Sequence, residues 1–347
     1  MLTLVRRRPD VAVALVAGVP VLLSQWLPGL DAPWHALFAS AIHHANDAPE
    51  RFLGFLEVDF QFRSYASLYV CIDWLSHLMS PVRAIQVLFA AYVVGWVLAG
   101  SELLAAFGRD RRAAVVLAPV AYSAAVAYGF LAFVIAYPLL LWQWAAVKRY
   151  LDEGRTRTVA VVGLTAAALA FTHVFAAVIA LGCTLVLILI DPASPWRRRA
   201  LAIAAALTPS LIALRQVVVM GVDEEVPDFI RRAPWWHRLE NQPFSGPWES
   251  LVEVPMNAIA FVPGWSAWLF ALGSLIVLVV ARRRQERIAL RTAVWLLAII
   301  SLGYLFTPFS LDWPRTMVAA QPRIVPLLFA AMVLVVAPAS LGRRASW

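Results

Sequence analysis

Asp31 and His35 stand four residues apart, and Asp73 and His77 repeat the same spacing. On a helix that spacing brings carboxylate and imidazole onto one face, where the acid can take a proton from a hydroxyl and the ring can tune it. Asp31 fits a plainer role equally well: in Leu30-Asp31-Ala32-Pro33-Trp34-His35 it stands where a helix N-cap would, with Pro33 at an early position that needs no donor. Glu57 and Asp59 can bind a divalent cation or orient a hydroxyl group, or sit on a solvated loop. Arg231, Arg232 and Arg238 lie beside Trp235-Trp236. They suit an interfacial layer anchored by the tryptophans, or a set of forked donors for a phosphate or pyrophosphate. His173, Arg215 and Arg323 fall near the ends of apolar stretches, with Arg315 just before the last one. Ionisable groups at such depth are costly and are candidates for a binding site. Snorkelling of Arg215, interfacial anchoring of Arg323 and a carbonyl hydrogen bond from His173 are the plainer accounts. His43-His44 are neighbours that point apart on a helix, a poor chelate expected to be solvated.

What must position these residues is membrane-embedded helix. Of the 347 residues 62% are hydrophobic and only 14% charged, more apolar surface than a soluble globule of this length can hide. Ten stretches approach the length a bilayer requires: 11–30, 83–107, 113–129, 131–147, 158–173, 174–190, 200–220, 262–281, 290–306 and 323–340. The short alternating segments of a β-barrel are absent. The expected fold is therefore all-α, a single polytopic transmembrane domain over 1–347 with about ten helices.

Arginine clusters at 6–8, 109–112, 148–157, 197–199, 282–287 and 343–344 interrupt the apolar stretches. With ten spans, all of them fall on one side, and that side holds 20 of the 29 basic residues against six acids. The positive-inside bias makes that side cytoplasmic, with both termini, and makes a bacterial inner membrane the expected location. The net charge of +8 then reflects topology, the arginines facing anionic headgroups and not nucleic acid. Arg6-Arg7-Arg8 before an apolar run of about 20 residues reads as an uncleaved anchor. The same threading leaves residues 67–80 outside as an interfacial helix, with Leu68, Ile72, Leu75 and Met79 as its apolar stripe and Asp73, Ser76, His77 and Ser80 opposite.

The polar chemistry gathers on the other side, in outer loops over 31–81 and 221–261 and a shorter one over 307–322. Prolines at 20, 119, 138, 209 and 326 imply kinked spans. No inverted repeat, Walker pattern, HExxH or GxSxG is found. Cys71 and Cys183 lie too far apart in depth to bridge.

A first span ending in an acid, a long outer loop of interfacial helices and about ten kinked spans resemble the GT-C class of membrane glycosyltransferases. Leu30-Asp31-Ala32-Pro33-Trp34-His35, Tyr128-Gly129-Phe130-Leu131-Ala132-Phe133 with Pro138, and Phe171-Thr172-His173 look like those of bacterial membrane proteins of GT-C type. The chain is shorter than most of the class and has no Asp-Asp pair in its first outer loop. The resemblance implies a polyprenyl-phosphate-linked sugar as donor, taken from the outer leaflet among membrane lipids. It makes Asp31 the base or acceptor-positioning acid and His35 its neighbour. Glu57, Asp59, His173, Arg231, Arg232, Arg315 and Arg323 are the candidate substrate contacts, and a divalent metal is a candidate cofactor. Two other classes remain open: a non-enzymatic carrier or flippase for a lipid-linked substrate, hinted at by Glu102 within a span, and an inactive scaffold of the same fold.

Overall fold

The computed structural model describes residues 8–25, 29, 31–44, 66–191, 194–220, 287–306, 310–311, 317–318 and 320–338. Glu57, Asp59, Arg231, Arg232 and Arg315 lie outside them, as does the predicted span 262–281.

Eleven α-helices are described: α1 Pro9–Leu23, α2 Ala32–His43, α3 Ala66–Ser76, α4 Pro81–Ala106, α5 Ala124–Ala127, α6 Leu131–Glu153, α7 Thr156–Thr172, α8 Val174–Ile190, α9 Trp196–Met220, α10 Arg287–Phe306 and α11 Ala320–Val336. Two-residue strands Ser310–Leu311 (β1) and Met317–Val318 (β2) pair antiparallel just before α11. Among the described helices, α4 and α6 are both long and apolar enough to cross a bilayer, while α1, α7 and α8 are apolar but have 15, 17 and 17 residues. At about 1.5 Å per residue a 17-residue helix reaches roughly 25 Å, most of a hydrocarbon core.

The helices begin and end where local chemistry requires. Pro81 opens α4 after Ser80, whose hydroxyl accepts from Arg83 N at 3.4 Å. Gly154, left-handed at φ 69°, stops α6. The break between α7 and α8 is a single extended residue, His173.

α4 is central, packed along α1 and α6, with Phe89, Trp96, Phe133, Tyr137 and Trp144 filling the interior. The outward faces carry bare aliphatics: Leu23, Leu164 and Leu189 are each more than 70% exposed. Such an inside-out surface is stable when lipid is the solvent.

The helix expected over 67–80 is found as α3, which ends at Ser76. Leu68 and Ile72 are buried and Leu75 and Met79 pack on the core. Ser76, expected on the polar face, is instead buried, its hydroxyl donating to Ile72 O at 2.7 Å.

One predicted span is not an α-helix. Residues 113–129 form two 3-10 segments, Arg111–Leu117 and Pro119–Tyr122, followed by the single turn α5. Pro119 lacks an N–H, and its ring would crowd the carbonyl four residues earlier, so an α-helix cannot run unbroken through it. The backbone is satisfied from α4, where Trp96 Nε1 donates to Leu117 O and Tyr92 Oη to Ala121 O, both at 3.0 Å.

Among the described residues, the arginines of the clusters gather at one end of the bundle. Arg8 forks onto Asp10, which also accepts from Ser101 at 2.6 Å. Arg111 and Arg149 both bind Glu102, Arg198 reaches Leu151 O at 2.8 Å, and Asp110 N donates to Pro338 O at 2.8 Å. Asp31, Gly129, His173 and Arg323 lie at the helix ends opposite to these.

Candidate functional site

The acid expected to lead the chemistry is seated by two glycines. Gly29 has φ 104° and Gly129 φ 85°, a region that side chains disfavour. A Cβ on Gly29 would fall 2.6 Å from Gly129 Cα, and one on Gly129 would fall 2.9 Å from Asp31 Cα. The segment that follows α1 thus lies directly on the 128–130 turn, with Asp31 N donating to Tyr128 O at 3.3 Å. Asp31 occupies the N-cap position of α2, yet its side chain makes no capping bond and is exposed. The N-cap role expected for the carboxylate is therefore not taken up: the residue has helical backbone angles (φ −86°, ψ −7°), which turn the side chain away from the first-turn amides.

His35 is held from both sides. Its Nδ1 meets the Tyr69 hydroxyl at 2.9 Å, and the Gly129 backbone acts on the ring as an acceptor that favours its charged form. Burial lowers its pKa below 6.5, against the opposing pull of Asp31 and the Gly129 hydrogen bond. Tyr69 is pushed up to about 12 by burial, so its hydroxyl keeps its proton. A neutral ring with these partners ties α2 to α3 and to the turn beneath Asp31. α3 is moored in its turn by Ser67, whose hydroxyl bonds Phe171 O and Thr172 Oγ1, each at 3.2 Å, next to His173.

From Gly129 the contacts run on to the other predicted residues. Phe130, next in sequence and stacked on Tyr128, carries the Arg323 guanidinium 3.8 Å above its ring, and Phe133 lies 5.5 Å from the same group. Arg323 is buried and its carbonyl accepts from Tyr137 Oη at 2.8 Å, which fixes the start of α11 against α6. His173, also buried, packs edge-on against Phe133 with 4.9 Å between centroids. Its Nδ1 accepts from Phe175 N at 3.2 Å, which in a neutral ring puts the proton on Nε2. That Nε2 lies 3.5 Å from Arg323 Nη1, so two N–H-bearing groups are turned toward one another.

The structure therefore joins Asp31, His35, His173 and Arg323 through the 128–133 segment. Arg215 is exposed on α9 and takes no part in these contacts. Glu57, Asp59, Arg231, Arg232 and Arg315 are outside the described residues. Sequence reasoning missed Tyr69, Phe130, Phe133 and Tyr137 as partners of the site. For Phe130 and Phe133 the signal was the Tyr128-Gly129-Phe130 turn between two apolar stretches. It also took His43 to be solvated, whereas His43 Nδ1 sits 2.9 Å from Asp73 Oδ1, because α2 and α3 come together at that point.

No protein-family model matches the chain, and no curated protein matches it. Among solved structures it is similar to ArnT from Cupriavidus metallidurans bound to undecaprenyl phosphate. The TM-score is 0.59 at 16% identity, covering 94% of this chain. The chain spans 58% of the length of that protein. The chain thus shares the predominantly helical, polytopic membrane fold of that structure, the GT-C-like architecture expected from its sequence.

Proposed function

We propose that the chain is a membrane glycosyltransferase that takes its sugar from a polyprenyl-phosphate-linked donor at the outer face of a bacterial inner membrane. The observation that carries this reading is the buried Arg323, stacked on Phe130 and facing His173, one residue along the turn from the seat of Asp31. An anionic oxygen is the natural bridge between a guanidinium and an imidazole N–H that face each other, and a lipid phosphate supplies one. The likeness to a protein bound to undecaprenyl phosphate supports the same donor class.

In this reading the acceptor hydroxyl attacks the anomeric carbon of the sugar as the bond from that carbon to the phosphate oxygen breaks. Asp31 takes the hydroxyl proton. The electron pair leaves on the polyprenyl phosphate, whose added charge is met by Arg323 and by the Nε2–H of His173. His35 is a positioning residue that holds the turn under Asp31. Glu57 and Asp59 would orient the sugar or hold a divalent cation, and Arg231, Arg232 and Arg315 would take further phosphate oxygens.

Glu102, the charge that favoured a carrier, is ion-paired with Arg111 and Arg149 at the opposite end. It offers no loose charge for a transport path.

The test is retention of undecaprenyl phosphate by purified protein, followed by native mass spectrometry. Wild type is expected to hold it and Arg323→Gln to lose at least about tenfold in affinity, the scale of a charge-assisted hydrogen bond. Equal retention by a folded Arg323→Gln would remove Arg323 from the site. Lipid binding with no sugar transfer from any polyprenyl-phosphate sugar in a wild-type membrane assay would favour a carrier or a scaffold.

A further inference from the structure

A second cluster of chemistry-bearing side chains lies away from the proposed transfer site. α2 and α3 run parallel: His35 meets Tyr69 and His43 meets His77, each pair offset by the same number of residues. Their C-terminal ends, at His43 and Ser76, therefore lie together. At that junction the side chains of His43, Asp73 and His77 each offer one ligand atom, all within 4.8 Å of one another.

The hydrogen bonds already present orient these atoms. His77 Nδ1 lies 3.0 Å from the backbone oxygen of Asp73, an acceptor, so it carries the proton and leaves Nε2 with a lone pair. A metal-binding histidine is commonly held in this way, its second nitrogen tied to a carbonyl. The His43 and His77 rings meet edge to face with 4.9 Å between centroids, and the His44 ring stands 5.0 Å from that of His43. His43 Nδ1 and Asp73 Oδ1 are bridged by a proton at 2.9 Å, a place that a metal ion can take instead. The helix ends add to this. Both macrodipoles point their negative ends at the cluster, which favours a cation there.

We propose that His43, Asp73 and His77 form a binding site for a divalent transition-metal ion of the zinc type, clipping the end of α2 to the end of α3. Two imidazoles and one carboxylate suit zinc and its neighbours and not magnesium or calcium, which take oxygen ligands. Three protein ligands leave one tetrahedral position for water. The ion restrains α2 and α3 relative to each other, and so reinforces the His35–Tyr69 contact two turns away. His43 lies roughly 18 Å along the helix from Asp31, so this site stands whether or not the chain transfers sugar.

The experiment uses the full chain in detergent, stripped with chelator and titrated with Zn2+ alone, with calorimetry for affinity, elemental analysis for stoichiometry and hydrogen exchange for the helices. Wild type is expected to bind one Zn2+ per chain in the presence of excess Mg2+, with slowed exchange over 66–76. The exposed His77→Ala and the half-buried Asp73→Asn are each expected to weaken binding at least about tenfold and to abolish the slowing. Absence of stoichiometric uptake by wild type overturns the proposal, as does full retention of Zn2+ by a folded His43→Ala/His77→Ala variant. Glycosyl transfer is not read in this test.

Discussion

A buried arginine is kept only where its surroundings repay the loss of water, and Arg323 is buried against two aromatic faces and a histidine. The Asp31 carboxylate, by contrast, is exposed and uncommitted to capping. Asp31→Asn is therefore expected to leave thermal stability unchanged while lowering glycosyl transfer by roughly 10²–10⁴-fold, the usual worth of a general base. A melting curve and a transfer assay on the same preparation separate the two. Gly129→Ala should do the reverse of sparing the fold. The residue sits at φ 85° with its missing Cβ directed at Asp31, so the substitution should cost about 1–3 kcal/mol and displace the acid. A chemical melt that shifts less than this would show that the turn and the loop can slide apart. His35 gives a pH signature. Its pKa is lowered in the folded protein, so the unfolded chain binds its proton first as pH falls below 6.5. The stability it contributes is complete above that value and declines as pH drops toward the folded pKa. His35→Gln should flatten that part of the stability profile measured between pH 8 and 5.

At the scale of elements, the stretch over 111–122 shows what an apolar sequence conceals. Its composition suits a span, and a span of the α type was expected over 113–129. The conformation is instead settled by two donors on α4, Tyr92 and Trp96, which lie 29 and 21 residues from the carbonyls they satisfy. Trp96→Phe should leave Leu117 O without its donor in a fully buried setting and cost about 1–3 kcal/mol. Reversible unfolding in mixed micelles would measure it, and a cost near zero would mean that Leu117 O finds another donor. The α3 helix was legible because its stripe at 68, 72 and 75 is local. The exposed Trp74 on this helix and Leu78 just past its end were not expected, and together they add a second apolar surface beside its polar residues. Much of the site was legible too, since Asp31, His173 and Arg323 stand out as ionisable groups at the ends of apolar stretches. What joins them, the Gly29–Gly129 crossing and the Phe130 platform, was not, because a close approach across a hundred residues leaves no periodic trace.

For the whole molecule, those arginines of the threading that the structure describes, among them Arg8, Arg111, Arg149 and Arg198, share one end of the bundle, with Asp10 and Glu102 held among them. Which side of the membrane that end faces can be read by thiol labelling in a chain whose Cys71 and Cys183 are replaced by serine. A probe at Leu78 should react from the periplasm, and one at Glu153, on the arginine end, only after the membrane is breached. The reverse pattern would invert the topology and remove the proposed access from the outer leaflet. The proposed centre draws Asp31 from the start of the chain, Phe130 and His173 from its middle, and Arg323 from its last described helix, latched by Tyr137 186 positions earlier. A ribosome must consequently have released the chain as far as α11 before the pocket can close. During synthesis the nascent protein therefore passes through the translocon and meets its lipid surroundings while still catalytically mute.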